Sequence, residues 1–170
     1  MRFSINHPFT IPPGPHDDEW ASWAAARGWT FQDPAPELVG RWDARPPKRN
    51  EQESETYRFL MGVTGVAFPV WTCEHEWLYK EPTSSGRARV GLIAVQLPGR
   101  PPDEISRKPR AVDRAIRALG VSAPQGYEFW LPEPTTLVAR KNRGHEPDRL
   151  EAEAAHVATT VSLAPAEFWH

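Results

Sequence analysis

Cysteine is nearly missing from this chain, with one residue in 170. A lone thiol cannot close an internal disulfide, so a small cross-linked scaffold is excluded. An excess of charge of one sign is lacking too: 20 Lys and Arg face 22 Asp and Glu, leaving −2. Domains that coat a phosphate backbone carry a clear basic excess, so nucleic acid is a disfavoured partner. No apolar run approaches the ~20 residues needed to cross a bilayer. The opening MRFSINHPFTIPPGPHDDEW has neither the basic start nor the apolar block of a secretory signal. A cytoplasmic protein with no membrane partner is the expectation. The phosphate-loop, dinucleotide, nucleophile-elbow and H-E-x-x-H motifs are all absent, so no cofactor and no metal are expected.

What the chain does have is proline and tryptophan, 19 and 8 residues. The prolines divide it into short pieces. Residues 1–15, with Pro8, Pro12, Pro13 and Pro15, read as an extended arm because proline breaks helices. Residues 16–170 read as one domain. After Asp17 and Asp18, the run EWASWAAAR is helical in composition and places Trp20 and Trp23 on one face. Gly28 suits the left-handed residue that ends such a helix. Trp29-Thr30-Phe31 begins a short strand, and 36–42 a short helix. The stretch 43–56, DARPPKRNEQESET, has no large apolar residue and reads as a long polar loop.

Strands are expected at 56–63, at 66–79 with a bend or edge at Pro69, and at 87–97. A helix follows over 109–119, closed by Gly120, with Val112, Ala115, Ile116 and Leu119 as its apolar stripe. Two short strands flank Pro132-Glu133-Pro134, and a last helix spans 146–157. The fold class is α+β: an antiparallel sheet of about five strands, with two to three helices packed on one side.

Trp23, Ala24, Arg27, Gly28 and Trp29, then Asp33, Pro34, Leu38 and Val39, then Val66-Ala67-Phe68, and finally Val95, Leu97 and Pro98 follow a recurrent order. Over about residues 20–100 this order resembles a family of small uncharacterised actinobacterial proteins. Their compact glycine-rich link before the first strand is replaced here by the charged 43–56 stretch. The resemblance implies a fold and carries no activity.

The densest chemistry is Trp71-Thr72-Cys73-Glu74-His75-Glu76-Trp77. On a strand, Trp71, Cys73, His75 and Trp77 share one face, while Thr72, Glu74 and Glu76 share the other. Cys73 and His75 could form a thiolate–imidazole pair, and Glu74 with Glu76 an acid–base pair. The plainer reading is a buried aromatic face with Cys73 as filler and two solvated carboxylates. Arg107, Lys108, Arg110, Arg114 and Arg117 form a basic stripe, and Arg140, Lys141 and Arg143 a second basic knot. Both suit an anion or a nucleic-acid strand, and both suit a solvated surface. His145 and His156 are too far apart to be a convincing ligand pair.

These residues favour a non-enzymatic binding or protein-interaction module, whose partner is another protein or a second copy of the chain. Its expected surface includes Trp42, Trp130 and Trp169, with Arg110, Arg114 and Arg117. The competing readings are a small hydrolase or transferase built on Cys73, His75, Glu74 and Glu76, and a weak nucleic-acid binder using 107–117.

Overall fold

A computed structural model describes residues 17–32, 56–63, 69–80, 85–106, 108 and 111–169. The proline-rich arm, the short helix at 36–42, the 43–55 stretch, the V-A-F residues 66–68, Trp42 and Arg110 lie outside the described residues. The elements are α1 (Asp17–Ala26), β1 (Thr30–Gln32), β2 (Thr56–Val63), β3 (Pro69–Lys80) and β4 (Ser85–Gln96). They continue with α2 (Asp103–Ser106), α3 (Ala111–Ala118), β5 (Glu128–Glu133), β6 (Thr136–Lys141) and α4 (Pro147–Leu163), then a 3-10 turn at Ala166–Phe168.

Among the described residues, six antiparallel strands form one sheet in the order β1-β2-β3-β4-β6-β5, against the five or so expected. β1 to β4 form a meander. The β5–β6 hairpin then folds back so that β6 pairs with β4. Pro69 opens β3, where a missing N–H is tolerated, and Pro132 sits in β5 at the sheet edge. The β5–β6 register shifts between Trp130 and Glu133, a bulge that absorbs the proline. Gly28 and Gly120 both have positive φ at the ends of α1 and α3, as expected of helix-ending glycines.

The register defines the inward face. Val70, Val95 and Leu137 form one cross-strand row, and Thr72, Ile93 and Ala139 the next. Their core also holds Trp20 and Trp23 of α1, Val112 and Ile116 of α3, and Leu150, Ala154, Val157 and Val161 of α4. The longer described helices thus gather on this face, as the fold class anticipates. Trp20, Trp23 and Trp29 stack edge to face at 5.7 and 5.3 Å, and the Trp23 indole donates to the Pro147 carbonyl at 2.7 Å, tying α1 to the start of α4. Asp113 joins α3 to β5 by accepting the Phe129 N–H at 3.1 Å.

Two expectations need correction. The last helix runs on to Leu163 because Val157, Ala158 and Val161 continue its core-facing stripe, and tertiary packing outweighs the weak helix propensity of Thr159, Thr160 and Val161. Thr160 is buried and returns its hydroxyl to the His156 carbonyl at 3.0 Å. Trp169 is a core residue, 6% exposed, with its indole N–H on the Val161 carbonyl. It packs the chain's end onto α4 and is out of reach of a surface partner.

Candidate functional site

Along the inward face the rows change from apolar to polar. The third row is Glu74, Gly91 and Lys141, on β3, β4 and β6. Gly91 has no side chain, so a slot opens between the other two. His145, on the loop from β6 to α4, fills it. A β-carbon on Gly91 would lie 2.9 Å from both the His145 Cε1 and the Arg143 carbonyl oxygen. Glycine is needed here for close approach of backbone to backbone. Glu74 accepts the His145 backbone N–H, and a β-carbon on Gly144 would collide with the Glu74 carboxylate and the Arg89 side chain.

Around His145 stands a buried polar network. Its Nε2 lies 3.1 Å from the carbonyl oxygens of both Cys73 and Leu92. Carbonyls only accept, so Nε2 carries the hydrogen. Burial, reinforced by the Lys141 charge, pushes the imidazole pKa down to about 4, so Nδ1 is bare at neutral pH. The Tyr127 hydroxyl, 3.3 Å from that Nδ1, donates instead to Glu153 Oε2 at 2.6 Å; the nearer, charged acceptor wins. Lys141 Nζ donates to the same oxygen at 3.1 Å and lies 4.8 Å from the Tyr127 ring centroid.

Burial lowers the Lys141 pKa, and the Glu153 hydrogen bond offsets part of that. Burial alone would raise Glu153, but the bonds from Tyr127 and Lys141 hold it below the usual carboxylate range. Burial and then Glu153 push the Tyr127 phenol up. The network at neutral pH is therefore a neutral imidazole, a neutral phenol and a Lys141–Glu153 ion pair.

This arrangement predicts a pH dependence. The unfolded histidine titrates near 6.5 and the folded one at about 4, so between these values the unfolded chain binds the extra proton. Stability contributed by neutral His145 is complete above ~6.5 and is lost as pH falls to ~4, by about 3 kcal/mol in all. Urea midpoints measured across that window should show the loss, and His145→Gln should flatten it. An unchanged slope in the variant would count against a neutral buried His145.

Beside the network lies a depression of about 480 Å³, lined by Gln125, Gly126, Lys141, Asn142, Arg143 and Arg149. Lys141 belongs to both, with only 1% of its side chain exposed. Arg143 and Arg149 are about half exposed and stand within 3.6 and 3.5 Å of the Glu146 carboxylate. Arg149 Nε is also 3.7 Å from Glu153 Oε1, an oxygen that is buried without a hydrogen bond. Among the described residues no group of three His, Cys, Asp or Glu side chains is placed to hold a metal.

Few of the residues singled out from the sequence converge here. Cys73 is buried and forms no disulfide, and its backbone carbonyl reaches the network. Glu74 is 3% exposed, so the solvated carboxylate expected there is corrected: it is an inward anchor for the His145 backbone. His75 and Glu76 occupy β3 opposite Val90 and Arg89. Trp130 is half-buried on β5, and its indole N–H is buried without an acceptor. Arg114 and Arg117 are exposed on α3, and Arg117 pairs with Asp113 at 2.6 Å. Tyr127, Glu153 and Arg149 carried no sequence signal. Lys141 and Arg143 did, as members of the second basic knot, and Gly91 was a clue in its own right, being a glycine inside a strongly strand-like run.

No protein-family model, curated protein or solved structure matches the chain. No described helix is long and apolar enough to cross a membrane.

Proposed function

We propose that the protein is a non-enzymatic binding module that seats a negatively charged group in the depression lined by Gln125, Gly126, Lys141, Asn142, Arg143 and Arg149. The observation that carries this reading is the placement of three cations, Lys141, Arg143 and Arg149, around one open concavity. Lys141 is fixed from below by Glu153 and Tyr127, so its charge is held in place before any ligand arrives. The two arginines provide half-exposed guanidinium forks at the rim. The enzyme alternative is less well supported, because Cys73 and Glu74 lie on opposite faces of β3 and the Cys73 thiol is buried. A nucleophile must be reachable and partly ionised.

Thermal unfolding in the presence of sulfate tests the reading. A ligand that binds only the folded state at 100 times its Kd adds about 2.7 kcal/mol of stability. Sulfate also stabilises proteins by exclusion from their surface, so the Arg143→Gln/Arg149→Gln double variant supplies the background. The native protein should gain several degrees more than the variant. Equal gains would defeat the proposal.

A further inference from the structure

The ligand class can be narrowed, on the assumption that the depression is the binding site. We propose that it takes the terminal phosphate of a small phosphomonoester, or free inorganic phosphate, in preference to a carboxylate or a phosphodiester.

Arg143 and Arg149 keep unused donors at the rim. The contacts of Arg143 and Arg149 with Glu146, and of Arg149 with Glu153, measure 3.6, 3.5 and 3.7 Å. All exceed the ~3.2 Å limit of a good N–H···O bond. The carboxylates therefore attract the guanidinium groups without consuming their hydrogens. Glu146 faces both arginines at once, and so holds two forks near each other at the rim. Glu146 is in this sense a positioning residue.

Charge points the same way. Three cations against the two carboxylates Glu146 and Glu153 leave one net positive charge around the concavity. The Lys141 charge is buried, where water screens it poorly. A monocarboxylate has two oxygens in one plane and is satisfied by a single fork. A phosphate monoester has three terminal oxygens pointing in different directions and carries up to two negative charges near neutral pH. It can accept from both arginines together, and the exposed amide of Gln125 adds a neutral donor at the same rim. A phosphodiester has one charge and two free oxygens, so it gains less. The volume, about 480 Å³, is in the range of small-molecule sites.

Isothermal titration of the full chain at pH 7.5 or thereabouts tests this, using inorganic phosphate, phenyl phosphate, dimethyl phosphate and acetate. Phosphate or phenyl phosphate should bind at least about tenfold more tightly than the other two, a difference of ~1.4 kcal/mol. Tighter binding of phenyl phosphate than of inorganic phosphate would identify an organic monoester as the ligand, and the reverse would identify the free ion. Arg149→Lys keeps the charge but loses the fork, and should also weaken phosphate about tenfold. The arginines are surface residues, so a thermal melt of each variant verifies folding. If acetate or dimethyl phosphate binds as tightly as phosphate, the phosphate assignment is overturned while the binding-module reading survives. If none of the four binds, both fall.

Discussion

Replacing Glu153 with leucine is expected to cost the fold about 3–5 kcal/mol, the usual penalty for leaving one member of a buried ion pair alone. Glu153 is 6% exposed, and its Oε2 accepts from both Lys141 and Tyr127. Leucine would leave the Lys141 ammonium buried without its carboxylate and leave the Tyr127 phenol only the more distant His145 Nδ1, at 3.3 Å, as acceptor. The pair itself need not be strongly stabilising, because desolvation of both charges offsets most of their attraction. The double variant Lys141→Met/Glu153→Leu should therefore recover much of the loss, since both charges go together. Urea denaturation of the two single variants and the double one checks this. A double variant as unstable as Glu153→Leu would mean that the ion pair is not the reason for the damage.

Gly91→Ala is the second large effect, with an expected loss of about 3 kcal/mol, at the upper end of typical overpacking costs. One added carbon would meet a backbone carbonyl and a ring, each at 2.9 Å. Neither is a flexible side-chain end that can swing aside. The 142–146 loop would have to lift, taking His145 away from its two carbonyls and Arg143 away from the rim. Stability and anion binding should then fall together. A Gly91→Ala protein with native stability would show that the loop does not lie on the sheet as described.

The strand-like runs at 66–79 and 87–97, found at Pro69–Lys80 and Ser85–Gln96, the helix-ending Gly28 and Gly120, and the apolar stripe on α3 are local patterns, and local patterns are visible in a sequence. Which face of β3 turns inward was not visible. Glu74 and Cys73 are both buried, so both faces are covered and alternation loses its meaning as an indicator of the core. The site was hidden for a different reason. His145 meets Glu74 across 71 residues and Cys73 across 72, and no spacing rule spans such distances. Lys141 lay within a basic knot that read equally well as surface. Only the register, which sets Lys141 inward beside Gly91 and Arg140 on the opposite face beside Leu92, separates the two.

The most direct measurement is a backbone-amide NMR titration of the native chain with inorganic phosphate. The account predicts saturable shifts concentrated at Gln125, Gly126, Lys141, Asn142, Arg143 and Arg149, and their loss in Arg143→Gln/Arg149→Gln. Shifts centred instead on Arg114 and Arg117 of α3, or no saturable shifts at all, would contradict it.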